Sequence, residues 1–122
     1  MSEAKTILIV DDSRVSRMMI RSFVLEKHPD WVMVEAVSGE DALEKIRTVA
    51  PHLITLDINM PGMGGFAAAE ALRKECPDAR IVLLTGNIQD GSRRRAEALG
   101  VGFVEKPITE SAIANVLACL EK

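Results

Sequence analysis

The sequence predicts an α/β fold, a (βα)5 doubly wound parallel sheet. Three observations carry that prediction. Five short apolar runs alternate with five segments of helical periodicity. The polar residues able to do chemistry fall just after those runs. At 122 residues, 48% hydrophobic and 27% charged, residues 1–122 suffice for one domain with a sizeable core and are too few for two.

The first run is Ile7 to Val10, followed by helical periodicity from about Ser13 to Lys27. There Val15, Met19 and Phe23 recur every fourth residue, with Ile20 and Val24 beside them. Pro29-Asp30 breaks the chain before a second strand, Trp31 to Ala36. A helix starts near Gly39 and carries Ala42, Leu43, Ile46 and Val49. Leu53 to Leu56 is the third strand, and the glycine-rich turn Pro61 to Gly65 leads into an alanine-rich helix ending before Pro77. Ile81 to Leu84 is the fourth strand; Ser92 to Leu99 is a short helix stopped by Gly100. Phe103 and Val104 mark the fifth strand. Thr109 caps the last helix, whose apolar face is Ile113, Val116, Leu117 and Leu120.

Strands one, three and four read as apolar throughout, so helices should cover both their faces; strand two contains Glu35 and suits an edge. Right-handed crossovers then favour the flavodoxin-like order 2-1-3-4-5. In such a sheet the ligand crevice lies beyond the carboxyl ends of the strands, where the winding reverses between strands one and three.

Composition narrows the function. A net charge of −3 gives no general attraction to nucleic acid. Cys76 and Cys119 form no CxxC pair and no metal-ligand spacing, so they read as reduced structural thiols. The N-terminal residues lack a signal-peptide layout, and no apolar run approaches the roughly 18 residues that span a bilayer. A cytoplasmic protein without membrane insertion is expected, monomeric, with a dimer as the alternative.

The chemistry collects at one edge. Asp11 and Asp12 follow strand one, Asp57 ends strand three, Thr85 ends strand four and Lys106 follows strand five. Three carboxylates converging there would repel one another unless a cation sat among them. Oxygen ligands in a water-accessible crevice suit Mg²⁺, which takes one or two carboxylates plus a phosphate oxygen. A lysine and a hydroxyl facing that cation are what a transferring phosphoryl group needs. Taken singly each residue has a blander reading: Asp12 as the N-cap of the first helix, Asp57 as loop solvation, Lys106 as a surface charge, Phe103 as core.

The segments Ile9-Val10-Asp11-Asp12-Ser13, Asp57 to Gly65, Leu84-Thr85-Gly86 and Glu105-Lys106-Pro107 together resemble the receiver domains of two-component response regulators, over essentially the whole chain. The resemblance implies that Asp57 is the phosphoacceptor, attacking a phosphohistidine or a small acyl phosphate. It implies Mg²⁺, with Mn²⁺ as the alternative, held by Asp12, Asp57 and the backbone carbonyl of Asn59, with help from Asp11. Lys106 would pair with the phosphoryl oxygens and Thr85 would hydrogen-bond one of them. Phe103 resembles the aromatic switch residue that turns inward when Thr85 moves. Asn59 and Asn87 occupy positions whose side chains set the phosphorylated lifetime. The Lys106-Pro107 bond is expected to be cis. A histidine kinase or phosphotransfer domain and a protein effector are the implied partners, with no direct nucleic-acid contact.

The family's usual output surface is the fourth helix, fifth strand and fifth helix. Here it includes Arg93, Arg94 and Arg95, either a solvated helical face or a dock for an acidic partner. With no further domain in the sequence, output is expected through that surface or by onward phosphotransfer. Asp12-Ser13-Arg14 with Arg17 is similar to single-domain chemotaxis regulators. Ile108, Ala67 and Phe103 depart from the commoner residues of the family and bear on partner choice. The protein is expected to be a self-phosphorylating and self-dephosphorylating acceptor, not an enzyme with turnover. A phosphorelay intermediate passing phosphate to a histidine phosphotransfer domain is one alternative. An aspartyl-phosphate phosphatase is the other, and the adjacent Asp11-Asp12, with no DxD spacing, argues against it.

Overall fold

The computed structural model describes residues 4–86 and 90–121. Five strands and five helices alternate along it: β1 (Thr6–Val10), α1 (Arg14–Lys27), β2 (Val32–Ala36), α2 (Gly39–Lys45), β3 (Leu53–Asp57), α3 (Gly64–Glu75), β4 (Arg80–Thr85), α4 (Asp90–Leu99), β5 (Gly102–Glu105) and α5 (Glu110–Ala118). A short 3₁₀ turn, Cys119–Glu121, follows α5. The strands form one parallel sheet in the order β2-β1-β3-β4-β5, the flavodoxin-like order expected.

Alternation along each strand builds two cores. Ile7 and Ile9 of β1, Leu53 of β3, and Val82 and Leu84 of β4 face one side, where Ile20 and Val24 of α1 and Ile113, Val116 and Leu117 of α5 cover them. Leu8 and Val10, Ile54 and Leu56, and Ile81 and Leu83 face the other side, under Ala42 of α2, Ala68, Ala69 and Leu72 of α3, and Ala96 of α4. The apolar runs are continuous because both faces are dry. Each fully buried Leu or Ile contributes about 1.5–3 kcal/mol relative to exposure.

Glu35 marks β2 as an edge, as expected; its carboxylate is held by Arg17 and Arg21 of α1. Hydroxyl caps begin three helices. Ser13 Oγ accepts from the Ser16 N–H, Ser38 Oγ from the Asp41 N–H and Thr109 Oγ1 from the Ala112 N–H.

The structure corrects several expectations. Trp31 lies before β2, stacked on the His28 ring at 3.8 Å between centroids. Helix α2 stops at Lys45, short of Val49: Ile46 is its C-cap, and beyond it the backbone tightens into turns in which the Arg47 and Thr48 N–H groups donate three residues back to the Glu44 and Lys45 carbonyls. Helix α4 starts at Asp90, two residues before the expected Ser92, with Gly91 inside it. The third strand is not apolar throughout: Thr55 is buried at 1% exposure, and its hydroxyl has no hydrogen-bond partner among the described residues. Cys76 and Cys119 are free thiols, as read from the sequence. No helix among the described residues is long and apolar enough to cross a membrane.

Candidate functional site

The carboxyl ends of β1, β3, β4 and β5 share one rim of the sheet, and the polar residues that follow them meet there. Asp57 is the last residue of β3, 6% exposed. Asp11, directly after β1, is 1% exposed, and Asp12 beside it is open to solvent. One carboxylate oxygen from each of Asp11, Asp12 and Asp57 lies within 4.8 Å of the other two. Lys106, just past β5, places Nζ 3.2 Å from Asp11 Oδ2 and 3.5 Å from Asp57 Oδ1. Thr85 ends β4 at 1% exposure, and its carbonyl accepts the Lys106 N–H at 2.7 Å, tying the two loops together.

Local backbone geometry holds this arrangement. Asp11 Oδ1 accepts the Ser13 N–H at 2.8 Å, an Asx turn that delivers the chain to the Ser13 cap. The Asp12 N-cap reading therefore fails: Ser13 caps α1, which leaves the Asp12 carboxylate available to the crevice. After β3, Asn59 donates its N–H to Asp57 Oδ1 at 3.4 Å. Gly65, the second residue of α3, packs against the β3 end, where a Cβ would stand 2.5 Å from Ile58 Cα and 2.6 Å from Asp57 O. No side chain fits that approach. The Lys106-Pro107 peptide is cis, as expected.

Burial pushes the Asp57 carboxyl above its ordinary value, and the Asp11 charge pushes the same way. Lys106 and the Asn59 N–H oppose them without reversing the direction. Three carboxylates thus gather here while the Lys106 ammonium pairs with two of them, Asp11 and Asp57, an excess of negative charge beside open solvent. That donor set fits a small hard dication that keeps several of its waters.

The sequence-predicted residues divide as follows. Asp11, Asp12, Asp57 and Lys106 come together directly, and Thr85 adjoins them through the strand ends. Asn59 is exposed at the rim. Asn87 lies outside the described residues. Phe103 is half-buried on β5, with the Arg93 guanidinium 5.4 Å from its ring centre. Arg95 stands 4.2 Å over the Phe66 ring. Two of the three arginines are therefore cation–π partners rather than purely solvated charges. Sequence reasoning missed the Asx turn at Asp11, although Asp followed two residues later by Ser was the available signal. It also treated Gly65 only as a turn residue.

Comparison with known proteins agrees with this geometry. Residues 7–118 match the response regulator receiver domain model. The chain is 33% identical over 119 residues to the chemotaxis protein CheY of Thermotoga maritima, covering 97% of this chain and 98% of that protein. It is 38% identical over 113 residues to a protein-glutamate methylesterase/protein-glutamine glutaminase of Geobacter sulfurreducens, and 35% identical over 112 residues to the response regulator protein VraR of Staphylococcus saprophyticus. These matches cover 89% and 91% of this chain but span only 31% and 54% of those longer relatives. Among solved structures, the chemotaxis protein CheY4 of Vibrio cholerae aligns with a TM-score of 0.86 at 26% identity, over 97% of this chain and 99% of that one.

Proposed function

The chain belongs to the response regulator receiver family, and on that premise we propose that it is a phosphorylation-operated switch with Asp57 as the acceptor. Residues 1–122 are read as one receiver domain. The observation that carries the proposal is the meeting of Asp11, Asp12, Asp57 and Lys106 at one solvent-facing rim.

An Asp57 carboxylate oxygen attacks phosphorus of a histidine kinase phosphohistidine or a small acyl phosphate. A P–O bond to Asp57 forms as the bond to the donor imidazole nitrogen or acyl oxygen breaks, and the electron pair leaves with the donor. Asp11, Asp12 and Asp57, with the Asn59 backbone carbonyl, would hold Mg²⁺ (or Mn²⁺), which when bound supplies positive charge to the phosphoryl oxygens. Lys106, already within reach of Asp57, balances charge on the transferring group. The Thr85 hydroxyl hydrogen-bonds one phosphoryl oxygen. Its shift draws Phe103 inward and alters the α4–β5–α5 surface that an effector protein reads. Asn59 and Asn87 set how long the aspartyl phosphate survives.

This reading makes the chain a signalling acceptor in the cytoplasm, recharged by a kinase. The likeness to a chemotaxis protein over nearly its whole length supports a chemotaxis-type role. Incubation with acetyl phosphate tests the reading by intact mass. The expected result is a gain of one phosphoryl group with Mg²⁺, none with a chelator, and a much slower gain in Lys106→Ala. A protein that gains nothing with Mg²⁺ refutes it.

A further inference from the structure

Asp12 is the exposed member of the acidic cluster, and its own backbone must hold its carboxylate in place. That backbone is the peptide joining Asp11 to Asp12. Because a peptide is planar, whatever fixes the Asp11 carbonyl also fixes the Asp12 nitrogen. Arg17, in the second turn of α1, reaches back six residues and donates from Nη1 to that carbonyl at 2.7 Å. Its Nε donates to Glu35 Oε1 on β2 at 2.8 Å. The Arg17 side chain is 13% exposed, so both bonds are made largely out of water. On the other side of the same residue, the Asp11 N–H donates to Ala36 O at 3.1 Å. The loop is thus held by β2 from one side and by Arg17 from the other.

We propose that Arg17 is the positioning residue for the cation site, fixing the Asp11–Asp12 peptide so that the Asp12 carboxylate stays beside Asp57. Glu35 anchors the guanidinium, and Arg21 bonds that anchor, at 3.3 Å from Glu35 Oε2, with no hydrogen bond to the Asp11–Asp12 peptide among the described residues. The proposal rests on the reading of this rim as a divalent-cation and phosphoryl site.

The sign of the effect separates positioning from simple charge. A guanidinium beside an acidic cluster repels a cation, so by Coulomb's law alone its removal tightens Mg²⁺ binding. Loss of a positioning contact loosens it. Outer-sphere contacts of this kind are worth about 10–100-fold in metal affinity. Lys in place of Arg keeps the charge but replaces the planar fork with a single point donor, and so cannot bridge both acceptors as well.

The test is urea unfolding of the full chain, followed by Trp31 fluorescence across a Mg²⁺ series. Stability without Mg²⁺ reports any structural role, and the Mg²⁺-dependent increment gives the dissociation constant by linkage. Arg17→Met is expected to weaken Mg²⁺ binding by about tenfold or more. Arg17→Lys is expected to weaken it by at least about threefold despite the retained charge. Arg21→Ala should leave it unchanged. The proposal is overturned if Arg17→Met binds Mg²⁺ as well as wild type or better, or if Arg21→Ala weakens it equally. Should Arg17→Met fail to fold, unchanged affinity in Arg17→Lys overturns it. A wild-type protein with no Mg²⁺ increment instead refutes the reading of the site itself, and the proposal falls with it.

Discussion

Lys106 Nζ stands 3.5 Å from Asp57 Oδ1, joining the end of β5 to the end of β3, and the same ammonium reaches Asp11 Oδ2 at 3.2 Å. One cation on a flexible stem thus serves two buried carboxylates. It offsets their repulsion in the resting protein and is placed to meet a phosphoryl group when one arrives.

Replacing Lys106 by Met should therefore split two measurements in opposite directions. Phosphorylation by acetyl phosphate should slow by about 10²-fold, the usual cost of losing one charged donor to a transferring group. Mg²⁺ affinity should rise, because a competing positive charge is gone. A rate close to wild type, measured at saturating Mg²⁺, would contradict the role given to Lys106.

The raised Asp57 carboxyl makes a statement about stability and pH. The folded protein holds that proton more tightly than the unfolded chain does, so the group favours folding most at pH below its ordinary value. Stability then falls as pH climbs through the interval between the ordinary and the raised value. Above that interval the ionised carboxylate opposes folding. Asp57→Asn should accordingly stabilise the metal-free protein above that interval, with a gain that shrinks as pH falls through it. Urea midpoints with a chelator present measure this, and a gain independent of pH would contradict it.

Thr55 offers a simpler test. Its buried hydroxyl has no partner among the described residues, so the polar group lost its hydration without recompense. Thr55→Val keeps the shape and removes the hydroxyl, and should raise stability by about 1 kcal/mol. Denaturant unfolding decides it; a loss of that size would mean the hydroxyl is satisfied.

Two neighbouring glycines should respond differently. Gly65→Ala drives a Cβ into the Ile58 and Asp57 backbone, neither of which is a flexible side-chain end, and should cost about 1–3 kcal/mol. It should also slow phosphorylation, because the displaced segment carries Asp57. Gly64 has φ +77° with open space around it, so Gly64→Ala should cost about 1–2 kcal/mol through backbone strain alone. Comparing the phosphorylation rates of the two variants separates displacement from strain.

The two-sided burial of β1, β3 and β4 was legible because Ile7 to Val10, Leu53 to Leu56 and Ile81 to Leu84 are short runs that only a covered sheet accommodates. The rim was legible because Asp11, Asp57, Thr85 and Lys106 each follow or end a strand, and parallel strands bring their carboxyl ends together. Other features escaped for identifiable reasons. Ile46 and Val49 continue the helical period past Lys45, where the backbone has already tightened into turns, so the period alone overstates the length of α2. Thr55 stands openly in the Leu53 to Leu56 run, but whether its hydroxyl finds a partner depends on neighbouring strands that only the fold supplies. The bond from Arg17 to the Asp11 carbonyl spans a cap and a turn, which no side-chain periodicity registers. The stacking of Arg93 on Phe103 and of Arg95 on Phe66 joins separate elements and needs the folded chain to be seen.

The most direct test of the account is the location of the phosphoryl group. After phosphorylation with acetyl phosphate and Mg²⁺, borohydride reduces an aspartyl phosphate to homoserine, and peptide mass mapping then identifies the converted residue. The account predicts homoserine at position 57 alone, with no conversion in Asp57→Asn. Conversion at Asp11 or Asp12, or a label that persists in Asp57→Asn, would contradict it.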